Sequence, residues 1–199
     1  MSSRLKKVVM ASGNAGKIRE IERLLESLGV AVVAQTELGV TDADETGTTF
    51  AENSLIKAQH AAQATGLPAI ADDSGLSVDA LDGAPGVYSA RYAGGAGDEA
   101  NNDKLLAALE GVENRGAAFH CVATFVDPAA SEALVAAGEW RGSILHERQG
   151  DGGFGYDPLF FVPDCYCSSA ELTPEQKNAR SHRGQALRKL VELIQQKYA

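Results

Sequence analysis

Ser12-Gly13-Asn14-Ala15-Gly16-Lys17 stands between a short apolar run and an amphipathic one. Backbone N–H groups at the positive end of a helix can bind phosphate oxygens there, and the glycines permit close approach. It is not a Walker A loop, which spaces its glycines more widely and follows its lysine with Ser or Thr, whereas here Ile18 follows Lys17. A second stretch, Ala71-Asp72-Asp73-Ser74-Gly75, carries adjacent carboxylates from an apolar strand into what reads as a turn. Two acids are costly to desolvate together unless a cation sits near, so the pair predicts a bound Mg²⁺ or a raised pKa on one member. A carboxylate beside a metal-bound triphosphate can take a proton from attacking water. Glu45, within Asp42-Ala43-Asp44-Glu45-Thr46-Gly47, could add a hard oxygen ligand, and Lys57 could meet phosphates.

In Gly150-Asp151-Gly152-Gly153-Phe154-Gly155-Tyr156-Asp157-Pro158, two aromatic residues stand on glycine-rich backbone rather than in a periodic apolar face. Such rings can stack on a planar base, a contact of about 1 to 3 kcal/mol. Lys177, Ser181, His182 and Arg183 place cations just before the last helix. Lys and Arg only donate hydrogen bonds, so a pocket built from them prefers a 6-oxo purine to adenine. Each stretch also has a plainer reading: a tight turn with a solvated lysine, an Asx-turn with both acids in water, an acidic surface loop, aromatic plugs on the core, a solvated helix start.

The elements that must position these groups can be read from periodicity. Lys7 to Ala11 is a buried strand, a helix follows with Ile18, Ile21, Leu24, Leu25 and Leu28 on one face, and Gly29 stops it before a strand over Val30 to Gln35. This β-α-β opening predicts two parallel strands with the helix across them. Thr49-Phe50-Ala51-Glu52 is a capping box for a helix ending at Gly66 and Pro68, and Ala69 to Ala71 is a short strand ahead of the acidic turn. A helix begins at Asp98, Phe119 to Val126 and Ala133 to Trp140 suggest a hairpin, and Leu187, Leu190, Val191 and Ile194 mark a final amphipathic helix. The whole of residues 1–199 reads as one α/β domain on a mixed sheet.

Composition narrows the function further. An apolar content of 44% and a charged content of 23% over 199 residues describe a folded domain with a real core. With 27 acidic against 18 basic side chains, a net charge of -9 disfavours a nucleic-acid surface but leaves room for a small phosphorylated ligand in a local pocket. The cysteines Cys121, Cys165 and Cys167 lack zinc-site spacing. No stretch has the length and apolarity of a signal peptide or membrane span, so a cytoplasmic protein without membrane partners is expected.

Taken together and in order, Ser12 to Lys17, Thr49 to Asn53, Ala71 to Leu76, Gly83-Ala84-Pro85-Gly86-Val87-Tyr88-Ser89-Ala90-Arg91-Tyr92, Gly153 to Pro158 and Ser181-His182-Arg183-Gly184 resemble the bacterial non-canonical purine NTP pyrophosphatases, the inosine triphosphatase family. The resemblance implies an elongated mixed β-sheet flanked by helices, with two lobes and a central nucleotide-binding cleft. It implies a homodimeric, Mg²⁺-dependent enzyme that cleaves ITP, dITP and XTP to monophosphate and pyrophosphate. By position, Ser12, Gly13, Asn14, Ala15, Gly16 and Lys17 bind the triphosphate. Asp73 is proton acceptor and metal ligand, with Glu45 and Asp72 beside the metal, and Ser74 contacts substrate. Phe154, Gly155, Tyr156 and Asp157 hold the base, Phe154 stacking, while Lys177, His182 and Arg183 meet its edge. A Maf-like pyrophosphatase and a non-catalytic nucleotide sensor are the alternatives; the Phe154 loop with Ser181-His182-Arg183 speaks against the first, and the Asp72-Asp73 pair against the second.

Overall fold

The opening of the chain folds as its periodicity requires. Lys7–Met10 forms strand β1, Ala15–Glu26 helix α1 and Ala31–Ala34 strand β2, and β1 pairs with β2 in parallel, Val8 opposite Val32. The computed structural model describes residues 5–26 and 28–198, so the first four residues of the N-terminal stretch lie outside the described part. Helix α2, Phe50–Thr65, carries the expected capping box: Thr49 Oγ1 accepts from Glu52 N–H, and Glu52 returns the bond to Thr49 N–H. Strand β3 spans Ala69–Val78, helix α3 Asp98–Ala108, β4 Gly116–Val126, β5 Leu134–Ile144, β6 Phe160–Val162 and β7 Cys167–Ser168. Helices α4, Pro174–Arg180, and α5, His182–Tyr198, complete the chain.

The strands form one seven-stranded sheet in the order β2-β1-β3-β4-β5-β6-β7. Strand β1 is parallel to β2 and β3, while β5 with β6 and β6 with β7 are antiparallel, so the sheet is mixed, as expected. Two compact units make up the chain: the described residues up to Asp73 with Cys121–Gly138 and those from Arg183 on, and Ser74–His120 with Glu139–His182. Among the described residues, no helix is long and apolar enough to cross a membrane.

In the first unit, side chains alternate between two apolar layers. Val8 and Met10 of β1, Ile70 of β3 and Cys121, Ala123 and Phe125 of β4 pack with Ile21 and Leu25 of α1 and Leu187, Leu190 and Ile194 of α5. Val9, Ala11, Ala69 and Ala71 pack with Ala58, Ala61 and Ala62 of α2. The small side chains of α2 let that helix lie close to the sheet, and Ser54 Oγ donates to Ala71 O at 3.2 Å. In the second unit Leu76, Leu105, Leu109, Phe119, Trp140, Tyr156 and Phe160 form a separate core.

One expected boundary was misplaced. The acidic turn after Ala71 does not exist: β3 runs through Asp72, Asp73, Ser74 and Gly75 to Val78. Asp, Ser and Gly favour turns, but here the carboxylates meet cations on both faces of the sheet, and that tertiary support overrides local preference.

Candidate functional site

Successive side chains of a strand point to opposite faces, so the parity set by Ile70 and Ala71 separates the two aspartates. Asp72 shares the face of Ile70, toward α1 and α5, and Asp73 that of Ala71, toward α2. Asp72 accordingly meets Lys17 Nζ at 3.0 Å and Arg183 Nε at 3.1 Å, with the Cys121 thiol 3.9 Å away. Asp73 Oδ1 meets Lys57 Nζ at 3.2 Å, and Lys57 Nζ also lies 2.8 Å from Glu45 Oε1. The adjacent acids thus contact different side-chain cations, although Lys57 also acts on Asp72 through space.

Their titration differs for the same reason. Burial alone would raise Asp72, but Lys17 and Arg183 hold its carboxyl far below the usual carboxylate range. For Asp73 burial wins: with Glu45 adding negative charge, the carboxyl stays above its ordinary value despite Lys57. Desolvation would lower Lys57, but Asp73 and Glu45 together raise it. Among the described residues Asp73 Oδ2 is buried with no hydrogen-bond partner, though the neighbouring Asn53 amide also draws the pKa down. On the other face, burial pushes the Cys121 thiol well up, which makes it an inert wall.

A cavity of about 400 Å³ opens beside these groups, within the usual size for a small-molecule site. It is lined by Ser12, Gly13, Asn14 and Lys17 after β1, by Gln35 after β2, by Glu45 and Lys57, and by Asp72 on β3. Ligands of open α/β sheets bind at the carboxyl ends of parallel strands; the ends of β1 and β2 open here, beside the middle of β3. The acidic loop is latched: Gln35 Nε2 donates to Asp42 Oδ1 at 2.6 Å, His60 Nε2 lies 2.9 Å from Thr41 O, and Asn53 Oδ1 accepts from Gly47 N–H at 2.8 Å. Sequence reading missed Gln35, His60 and Asn53 as supports. Gln35 had been placed in a strand, and its position just past the strand end was the available signal.

The phosphate-loop candidate is capped from within. Asn14 Oδ1 accepts from Gly16 N–H at 2.8 Å and Lys17 N–H at 3.2 Å, satisfying two orphan donors of α1, and Ser12 Oγ accepts from Asn14 N–H. A Cβ on Gly16 would stand 3.1 Å from Asn14 Oδ1, a tight contact that would press on the cap. The Gly16 and Lys17 amides thus already carry the Asn14 carboxamide oxygen. Ala15 opens α1 between these groups, and Ser74 follows Asp73 on β3, half-buried.

In the second unit the aromatic loop is anchored rather than flexible. Tyr156 is buried and donates to Ser89 O at 2.7 Å, so it is a core plug and not a free ring. Phe154 is 61% exposed, and Lys177 Nζ lies 4.5 Å from its ring centroid. Asp157 is buried, accepting from Phe154 N–H at 2.8 Å, from Ser169 Oγ at 2.9 Å and from Lys177 Nζ. Gly153, with φ +76°, leaves room for it, since a Cβ there would sit 2.1 Å from Asp157 Oδ2. His182 stacks on Phe119 with centroids 4.8 Å apart. Lys177 thus neighbours Asp157, His182 neighbours Phe119, and Arg183, in the first unit, neighbours Asp72.

A β-α-β start with a lysine-bearing loop after β1 and two oppositely facing aspartates within β3 is the frame of an α/β protein with a polar site beside the sheet. The Ham1 family model matches residues 8–193, and the chain belongs to that family. It is 58% identical over 194 residues to the dITP/XTP pyrophosphatase of Pectobacterium atrosepticum, across 96% of this chain and 98% of that protein. Among solved structures it is similar to a HAM1 protein from Coxiella burnetii, with a TM-score of 0.91 at 47% identity, covering 96% of this chain and 100% of that one. The Staphylococcus aureus Ham1 protein superposes with a TM-score of 0.90 at 42% identity, covering 96% and 99%.

Proposed function

We propose that this chain hydrolyses the non-canonical purine nucleoside triphosphates ITP, dITP and XTP to the monophosphate and pyrophosphate, removing them before they are incorporated into DNA and RNA. The carrying observation is the division of labour on β3: Asp72 is locked as an anion between Lys17 and Arg183, while Asp73 keeps a raised pKa beside Glu45 and Lys57. Likeness over nearly the whole chain to proteins bearing the dITP/XTP pyrophosphatase name supports the substrate class.

Ser12 to Lys17 hold the phosphate chain in the cavity, a phosphate oxygen exchanging with the Asn14 carboxamide oxygen at the start of α1. Asp73 accepts the proton of a water that attacks the α-phosphorus, and pyrophosphate departs, a role its raised pKa suits. Phe154 stacks on the base, and Lys177 and His182 favour an oxo group over an amino group at its edge.

The site also fits Mg²⁺. Among the described residues no three His, Cys, Asp or Glu side chains gather as a ready metal cage, but Mg²⁺ is commonly held by one or two carboxylates together with substrate phosphates. Glu45 and Asp73 are those carboxylates, and Lys57 Nζ now balances them. Asp72, engaged by Lys17 and Arg183, supports the phosphate loop instead of the ion. When bound, the ion offsets charge on the phosphates. A cytoplasmic homodimer, as the family resemblance implies, completes the reading; light scattering after gel filtration measures the dimer.

The test is an assay of the purified protein with Mg²⁺ against ITP, XTP, dITP, GTP, ATP and dUTP, scored separately for pyrophosphate and orthophosphate. Pyrophosphate from ITP, dITP and XTP well above the other three is expected. Orthophosphate as first product, or a preference for dUTP, sinks the reading.

A further inference from the structure

Asp98 and Asn102 stand one turn apart on α3, where positions four apart share a face. Between them they grip both backbone polar groups of Gly155: Gly155 N–H donates to Asp98 Oδ2 at 2.8 Å, and Asn102 Nδ2 donates to Gly155 O at 2.9 Å. Asn102 is 1% exposed, its Nδ2 also reaches Asp98 O at 2.9 Å, and its Oδ1 is buried with no hydrogen-bond partner among the described residues. Asparagine is a poor residue for the interior of a helix, and a buried amide with an orphan oxygen is costly, so helix formation does not explain its presence. The grip on Gly155 does.

Gly155 lies next to Phe154, whose own N–H is held by Asp157. The exposed ring is thus carried on backbone pinned from both sides, although glycines at 150, 152, 153 and 155 would leave the loop many conformations to lose on binding. We propose that Asp98 and Asn102 are positioning residues that pre-organise the Phe154 ring for stacking on the purine base. Helix α3 thereby sets the affinity for the base without touching substrate. This rests on the pyrophosphatase reading above and adds to it a support that acts on the base alone.

Steady-state kinetics of Asp98→Ala and Asn102→Ala with ITP and Mg²⁺ test it, with the inhibition constant for pyrophosphate reporting the phosphate end separately. KM for ITP is expected to rise about 5- to 20-fold, the usual effect of one lost hydrogen bond or slightly more, with kcat and the pyrophosphate constant within about 3-fold of the parent. Asp98→Asn keeps an acceptor for Gly155 N–H while losing the charge at the helix start, and it should stay within about 3-fold of wild-type KM. An unchanged KM in both alanine variants, a parallel change in kcat and the pyrophosphate constant, or an Asp98→Asn variant as weak as Asp98→Ala overturns the assignment. Failure of the wild-type protein to turn over any purine triphosphate removes the functional reading, and this inference with it, before any variant is compared.

Discussion

Asp72→Asn isolates the anion on which the first unit's charge balance depends. The Asp72 side chain is 1% exposed, and the substitution preserves its shape while removing the negative charge that Lys17 and Arg183 share. Breaking a buried ion pair by removing one partner costs about 3–5 kcal/mol. The side chains of Lys17 and Arg183 are 22% and 12% exposed and can partly rehydrate, which favours the lower end, about 3 kcal/mol. At about 2–4 °C per kcal/mol for a chain of this size, Tm should fall by about 6–12 °C at pH 7. The pH dependence has a definite sign. The folded pKa of Asp72 is depressed, so its stabilisation is fully present above the unfolded value near 3.9 and is lost as pH falls toward the folded one. The gap between wild type and variant should therefore stay constant from about pH 8 to pH 5 and shrink below about pH 4. Calorimetric melts in EDTA across this range measure it. A drop under about 2 °C at pH 7, or a gap that widens on acidification, would refute the reasoning.

Asp73→Asn should behave oppositely. The folded pKa of Asp73 is raised, the folded state binds more protons in the window between the two values, and stability therefore falls as pH rises through it. In EDTA at pH 7 the variant should melt above wild type, while kcat with ITP and Mg²⁺ falls about 10²- to 10⁴-fold; a lower Tm or wild-type turnover contradicts this. Phe154→Ala removes an exposed ring and should raise KM for ITP about 5- to 100-fold with Tm nearly constant. Tyr156→Phe leaves Ser89 O without its donor and should lose about 1–3 kcal/mol of stability with KM unchanged, and the reverse pattern in kinetics and melts would exchange the roles of the two rings. Gly153→Ala puts a Cβ 2.1 Å from Asp157 Oδ2 in a left-handed backbone position, so both a lower Tm and a higher KM are expected, and a silent variant would show that the loop is not held by Asp157.

The parts of this protein legible in the chain are those that neighbours along it specify. The amphipathic period of α1, the Thr49 capping box, the Gly66 stop and the parallel β-α-β opening each depend on residues within a few positions, and each appears where it was expected. The turn before α1 was legible for the same reason. The extent of β3 was not, because the turn preference of Asp72 to Gly75 is local while the cations that hold the strand straight come from elsewhere. Tyr156 looked like a twin of Phe154 because glycine spacing says nothing about depth; its hydroxyl finds Ser89 67 residues away.

The face taken by each aspartate lies beyond any reading of spacing. It depends on the register of β3 against β1, in which a shift of one residue would exchange Asp72 and Asp73 between the two layers. Arg183 reaches Asp72 across 111 residues only because α5 packs on the same face of the sheet as α1. Residue types announced two adjacent carboxylates and a helix-start loop; assembly of the sheet set one carboxylate between Lys17 and Arg183 and left the other with a raised pKa, because burial and long-range charge, not sequence neighbours, set the energy of an ionised group.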